Sequence, residues 1–284
     1  MEIKDRYVLG PNHIEYSIIK NFPAANKVGV FLSGGMESSL ITLIALEVYG
    51  PDKVVCFYSD NMFSSADPEG NKHIRTNIER AKVLLGVDPI YIDVDYDKHI
   101  NDRKNSVRDN IANIKAQFGV DVLMFGFTEL FFQVEPFRQH GLTKQDILDL
   151  AFSDPVQYKN TIQEFHLETD QYTEHLLTID IPPEVYSMLK DAEIVLAPFR
   201  TLNKAEVVDL YRQMGVLDYA YKTSSCVTGE VTATGRHCGH CFNCQQRYDA
   251  YRILGGIKDL TVYASKYIVM RRAKLEKVRA NNSK

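Results

Sequence analysis

Two stretches of this sequence hold residue types and spacings that do chemistry. Ser33-Gly34-Gly35-Met36-Glu37-Ser38-Ser39 combines two glycines, three hydroxyls and a carboxylate. Glycine lets a backbone approach a ligand and adopt positive φ, and free N–H groups at a helix start attract anions. With the hydroxyls of Ser33, Ser38 and Ser39 the segment reads as a phosphate cradle; the ligand-free alternative is a Gly-rich turn with a serine cap. It is not a Walker A loop, because no Gly-Lys-Ser/Thr follows, and it lacks the G-x-G-x-x-G spacing of dinucleotide folds.

The second stretch supplies Cys226, Cys238, Cys241 and Cys244 in the pattern C-x11-C-x2-C-x2-C. Four thiolates close a tetrahedral Zn2+ site, and a closed site folds its loop rather than activating substrate. An iron–sulfur cluster is the second candidate, since C-x2-C-x2-C also occurs in ferredoxins. His237 and His240 are expected beside this site. Cys56 stands apart in an apolar run and is expected to be an inert core thiol.

Both stretches need rigid elements to position them. Lys27–Leu32 reads as a strand that turns through the phosphate loop into a helix over Ser39–Tyr49, closed by Gly50. The unit repeats: a strand at Val54–Tyr58, a helix from about His73 to Leu85, a strand at Ile90–Val94, a helix near Arg103 to Phe118, and a strand at Asp121–Gly126. Short apolar strands alternating with helices predict an α/β fold, a parallel sheet covered on both faces. The alternation lapses from Phe127 to Glu193 and resumes with Ile194-Val195-Leu196 and a helix from Asn203 to Met214. We therefore expect an α/β domain over residues 1–215 with an insertion near 127–193, and a zinc-knuckle and helical subdomain over 216–284.

The chain has 284 residues, 45% hydrophobic and 25% charged, and a net charge of −4. That composition excludes disorder and lacks the basic signature of a dedicated nucleic-acid binder. Charge is unevenly spread. Glu129 to Glu193 holds 13 acidic residues against four basic, with several aromatics, whereas Lys266 to Lys284 holds seven basic against one acidic. The acidic insertion repels a phosphate backbone and suits a lid, a homodimer surface or a protein contact. The basic tail is expected to be a solvated helix. No apolar run approaches the roughly 18 residues of a membrane span, and Met1-Glu2-Ile3-Lys4-Asp5 lacks the features of a signal peptide. A cytoplasmic location is expected, with no membrane partner.

The phosphate loop resembles the Ser-Gly-Gly-x-Asp-Ser loop of the PP-loop ATP pyrophosphatases, which cleave ATP to AMP and pyrophosphate. Glu37 stands where that family has Asp. The C-terminal half sharpens the resemblance: Pro198-Phe199, Asn203-Lys204-Ala205-Glu206-Val207-Val208, Thr223-Ser224-Ser225-Cys226, Cys238 to Cys244, Arg247 and Ala250 are similar to 7-cyano-7-deazaguanine synthases. The resemblance implies a doubly wound sheet of the adenine nucleotide alpha hydrolase-like type with a small C-terminal zinc-binding subdomain. It implies ATP bound by Ser33, Gly34, Gly35, Met36, Glu37, Ser38 and Ser39, Mg2+ with the ATP, and structural Zn2+. The implied reaction is adenylation of a 7-carboxy-7-deazaguanine-like carboxylate, followed by attack of ammonia to give amide and then nitrile, in the pathway of queuosine biosynthesis.

Within that resemblance Glu37 and Lys204 are the catalytic candidates. Lys204 opens a helix toward the sheet's carboxyl end, where a point cation neutralises polyphosphate; the alternatives are a solvated lysine and, for Glu37, a carboxylate that only favours the helix start. Thr223, Ser225 and Arg247 are the substrate-binding candidates, with turn capping and pinning of the knuckle as their structural alternatives. The pocket segments depart from the family. Tyr58-Ser59-Asp60-Asn61 replaces Asp-Tyr-Gly-Gln, and Gly126-Phe127-Thr128-Glu129 leads into the acidic insertion. Three further functions stay open: an antiphage-system relative conjugating a deazaguanine to a protein amine, a tRNA-thiolating enzyme, and a noncatalytic nucleotide-binding module.

Overall fold

A computed structural model describes residues 3–10, 13–59, 68–92, 103–126, 128, 195–199, 202–226, 236–239 and 242–264. The acidic insertion, the basic tail and Cys241 lie outside the described residues, as does the end of the expected strand beyond residue 92. The chain enters through an antiparallel hairpin, β1 (Arg6–Leu9) and β2 (Ile14–Ser17), and a one-turn helix α1 (Ile18–Asn21). The α/β alternation follows as β3 (Val28–Phe31), α2 (Met36–Tyr49), β4 (Val54–Tyr58), α3 (Pro68–Leu85), β5 (Ile90–Tyr91), α4 (Arg103–Phe118), β6 (Val122–Met124) and β7 (Val195–Leu196). Helices α5 (Lys204–Gln213), α6 (Leu217–Lys222) and α7 (Phe242–Leu254) complete the described part.

The sheet order is β5-β4-β3-β6-β7 and every neighbouring pair is parallel. The chain starts in the middle at β3, winds outward through β4 and β5, then crosses to the other side of β3 as β6. That reversal opens a crevice at the carboxyl ends of β3 and β6, where open α/β sheets bind ligands. The 33–35 loop leaves β3 at this point.

Period-two alternation along β3 explains its burial on both sides. Val28 and Val30 join a core with α2 and α5, while Phe31 packs on the opposite face with Phe57, Leu123, Phe125 and the α4 residues Ile111 and Ile114. Phe31 stacks on Phe125 at 4.5 Å between ring centroids. Helix α2 is buried on most sides, from Met36 and Leu40 to Ile44 and Ala45, as a helix apolar on most faces must be. It begins at Met36, three residues before the expected Ser39, because Gly35 is extended and serves as its N-cap. Met36 to Ser39 therefore form its first turn.

The division expected after residue 215 does not interrupt the core: Val216, Ala220, Ala250 and Tyr251 share one cluster with Val28, Leu40, Val207 and Tyr211. Cys56 on β4 is buried, and burial pushes its thiol up to about 11 against a smaller opposing effect of the Thr42 hydroxyl. No described helix is long and apolar enough to cross a membrane.

Candidate functional site

The loop between β3 and α2 folds its hydroxyls inward. Ser38 Oγ accepts from the Ser33 N–H at 3.1 Å, the two hydroxyls lie 3.0 Å apart, and Ser33 Oγ accepts from the Gly35 N–H at 3.3 Å. Because glycine caps α2, no side chain takes the N–H groups of its first turn. Close packing leaves the loop little freedom. Gly34 has φ +72°, and a Cβ on it would stand 2.6 Å from the Asn77 carbonyl oxygen on α3. A Cβ on Gly126, just past β6, would stand 2.8 Å from the Ser38 nitrogen.

Helix α5 fixes the start of α2 at two points. Lys204 Nζ donates to Glu37 Oε1 at 2.8 Å, with side-chain exposures of only 6% and 12%. Two turns further along the same face, the Tyr211 hydroxyl donates to the Met36 carbonyl at 2.8 Å. Burial raises the Tyr211 pKa well above its ordinary value, so the proton stays on to make this bond. Lys204 can be placed accurately because the helix start is itself boxed: Asn203 Oδ1 accepts from the Glu206 N–H at 3.0 Å, and Glu206 Oε2 accepts from the Asn203 N–H at 2.8 Å. Tyr211 is not among the residues singled out by motif, although its place two helical turns beyond Lys204 on the same face is a sequence signal for it.

A strap, residues 223–226, runs from the phosphate loop to the cysteines. The Ser224 N–H donates to the Gly34 carbonyl at 3.0 Å, and the Ser225 N–H donates to His237 Nε2 at 2.9 Å. Arg247, fully buried on α7, donates through Nη1 to Thr223 O, Thr223 Oγ1 and Ser225 Oγ, through Nη2 to Ala220 O, and through Nε to Thr261 Oγ1. Thr223 Oγ1 in turn donates to Ala220 O at 2.7 Å. Arg247 thus contacts both of the other substrate-binding candidates, and its guanidinium ties the strap to α6 and α7. An imidazole that accepts at Nε2 carries its proton on Nδ1. Burial, reinforced by the Arg247 charge, pushes the His237 pKa down to about 3 and keeps the ring neutral.

At the end of the strap the sulfurs of Cys226, Cys238 and Cys244 lie within 4.8 Å of one another, and all three residues are buried. Sγ of Cys238 and Cys244 are 3.8 Å apart, and Cys226 Sγ accepts from the Cys238 N–H at 3.3 Å. Tetrahedral zinc with Zn–S bonds of about 2.3 Å requires sulfurs about 3.8 Å apart. The donor set therefore fits one soft ion, with His237 beside it, engaged through Nε2 by Ser225.

The parallel sheet with the Ser33–Ser39 loop at its switch point is the arrangement implied by the resemblance to the PP-loop ATP pyrophosphatases. Residues 154–255 match the family described as Queuosine biosynthesis protein QueC. Among curated relatives, a probable asparagine synthetase (glutamine-hydrolyzing) of Acanthamoeba polyphaga mimivirus is 27% identical over 205 residues, covering 69% of this chain and 35% of the relative. A GMP synthase (glutamine-hydrolyzing) of Dictyostelium discoideum is 22% identical over 208 residues, covering 70% of this chain and 27% of the relative. The chain spans about a third of the length of these relatives. The solved U34-tRNA thiolase NcsA from Methanococcus maripaludis with its 4Fe-4S cluster aligns over 90% of this chain and 85% of its own, at 13% identity and a TM-score of 0.36. That likeness is too distant to bear on function.

Proposed function

We propose that the protein is an ATP-dependent carbon–nitrogen ligase that adenylates a carboxylate of the 7-carboxy-7-deazaguanine type and passes the acyl group to an amine, with ammonia as the acceptor. The observation that carries this reading is the buried Glu37–Lys204 pair at the mouth of a hydroxyl-lined loop on the sheet's switch point. The match to a queuosine-biosynthesis family supports the deazaguanine acid, and two relatives named as glutamine-hydrolyzing synthetases support a nitrogen nucleophile.

In the reaction, a substrate carboxylate oxygen bonds to the α-phosphorus as the α–β bridge breaks and pyrophosphate leaves. The amine nitrogen then bonds to the acyl carbon, AMP leaves with the electron pair, and the nitrogen loses a proton. Loop N–H groups and the Ser33 and Ser38 hydroxyls orient the phosphates, and Lys204 opposes the charge that develops on the leaving group. Glu37 and these hydroxyls are the hard oxygen donors that would hold Mg2+, which supplies further charge neutralisation on the phosphates. The strap residues Thr223 and Ser225 are proposed to line the acid's side of the site, held in place by Arg247.

Incubation with ATP, 7-carboxy-7-deazaguanine and ammonia should first yield the amide. Its oxygen then displaces pyrophosphate from a second ATP and leaves with that AMP as the nitrogen gives up two protons. The final product, read by mass spectrometry, should be lighter than the amide by one water, with two AMP and two pyrophosphate formed. Release of ADP and orthophosphate would overturn adenylation. Product formation only when a protein amine is present would replace ammonia by a conjugation partner.

For the cysteine site we propose structural Zn2+ held by Cys226, Cys238, Cys244 and Cys241. Elemental analysis should find a single equivalent of zinc, and Cys226→Ser should lose it and lower the thermal midpoint more than it lowers the turnover of the remaining folded protein. Iron with acid-labile sulfide, or a midpoint indifferent to Cys226→Ser, would count against a structural zinc.

A further inference from the structure

Among the described residues, five buried side-chain polar atoms have no hydrogen-bond partner: Ser39 Oγ, Asn77 Oδ1, Ser224 Oγ, His237 Nδ1 and Tyr251 OH. Three of these belong to the phosphate loop or to residues touching it. Ser39 is in the loop's helical turn, Asn77 packs under Gly34, and Ser224 holds the Gly34 carbonyl. Buried polar groups are as a rule paired, and an orphan costs stability unless something outside the fold uses it.

The three differ in what they offer. Asn77 Oδ1 is an acceptor and does not suit an anionic oxygen, and Ser39 belongs to the motif already assigned to phosphate. Ser224 is different. The hydroxyls on either side of it, Thr223 and Ser225, are engaged by Arg247, whereas its own hydroxyl, on a residue only 7% exposed, is not engaged. Its place across the loop is settled by its backbone: the N–H is on Gly34 O at 3.0 Å, and its carbonyl oxygen is 3.5 Å from where a Gly35 Cβ would stand. Arg247, His237 and the cysteine cluster hold the residues that flank it.

We propose that Ser224 is a ligand-binding residue of the phosphate loop, its hydroxyl donating to an anionic oxygen of a nucleoside triphosphate. The proposal rests on the ATP-cleaving reading above, and adds a contact from the C-terminal strap to a cradle otherwise built from residues 33–39. The strap is tied at both ends, so the donor is preorganised rather than recruited.

Calorimetric titration of ATP, and separately of inorganic pyrophosphate, onto the wild-type chain and onto Ser224→Ala tests it, alongside each protein's ligand-free thermal midpoint. Ser224→Ala should weaken ATP by about 10- to 100-fold, the range for one hydrogen bond to a charged group. Its midpoint should hold or rise, because an unpaired buried hydroxyl has been removed. Ser224→Thr, which restores a hydroxyl, should recover the affinity. Unchanged ATP and pyrophosphate binding in Ser224→Ala, with wild-type pyrophosphate release intact, would overturn the Ser224 contact alone. So would a midpoint that falls with the affinity, since that marks a structural role, or a folded Ser224→Thr that fails to recover binding. A wild-type chain that binds neither ATP nor pyrophosphate would remove the ATP reading and this contact together.

Discussion

Lys204→Met should cost both stability and turnover, and the two losses should separate in a double variant. The substitution leaves the Glu37 carboxylate, 12% exposed, without its partner in a site closed on most sides. Breaking a buried pair from one side costs about 3–5 kcal/mol, and the thermal midpoint should fall by roughly 10 °C. If Lys204 has the role proposed for it, opposing the charge that builds up on the leaving group, pyrophosphate release at saturating ATP should drop by about 10²- to 10³-fold. Adding Glu37→Gln to Lys204→Met removes the stranded charge, so the double variant should regain most of the midpoint while staying at least as slow as the single one. A double variant that regains turnover along with stability would show the pair to be structural. Glu37→Asp is the informative companion: its shorter reach must lengthen the 2.8 Å contact to Lys204 or draw the helix start toward α5.

Gly34→Ala is expected to abolish nucleotide binding. A methyl there would meet the Asn77 carbonyl oxygen at 2.6 Å and its carbonyl carbon at 2.7 Å, both backbone atoms of α3 that no side-chain rotation can move. Positive φ adds roughly 1–2 kcal/mol for any residue with a Cβ. Gly50→Ala is the matched control, since Gly50 also has φ +85° but a Cβ on it would meet nothing within 4 Å. The control should lose about 1–2 kcal/mol of stability and keep wild-type affinity; Gly34→Ala should lose affinity by at least about 10²-fold, the cost of displacing the cradle by an ångström. Calorimetry and thermal melts on both variants check the pair. Equal affinity losses would mean that backbone strain, and not the approach of α3, sets the loop.

The elements positioned by local pattern were legible before any coordinates. Strands β3, β4 and β6, helices α4 and α5, and the glycine stops at Gly50 and Gly86 follow from apolar periodicity and turn chemistry within a few residues of each other. Helix α2 starts earlier than its sequence suggests, because Met36, Glu37 and Ser38 read as loop and only the extended Gly35 cap makes them its first turn. The hairpin of β1 and β2 is not announced by the sequence, since Arg6-Tyr7-Val8-Leu9 and Ile14-Glu15-Tyr16-Ser17 mix polar and apolar residues without the continuous apolar run that marks β3, β4 and β6.

By itself, the sequence determined the chemistry available: two glycines and three hydroxyls at a strand-to-helix turn, four clustered thiols, a lysine at a helix start, and an alternating pattern that yields a parallel sheet. Only the tertiary structure decided which of those groups meet. Nothing near Glu37 in the chain announces Lys204, and nothing near Gly34 announces Ser224. The same holds for Arg247, a substrate-binding candidate with pinning of the knuckle as its structural alternative, whose guanidinium donates to Thr223, Ser225, Ala220 and Thr261. The physical reason is one of range. Backbone conformation responds to neighbours within a turn or two, whereas the partner of a buried charge or hydroxyl is chosen by which distant segments the shared core brings within 3 Å.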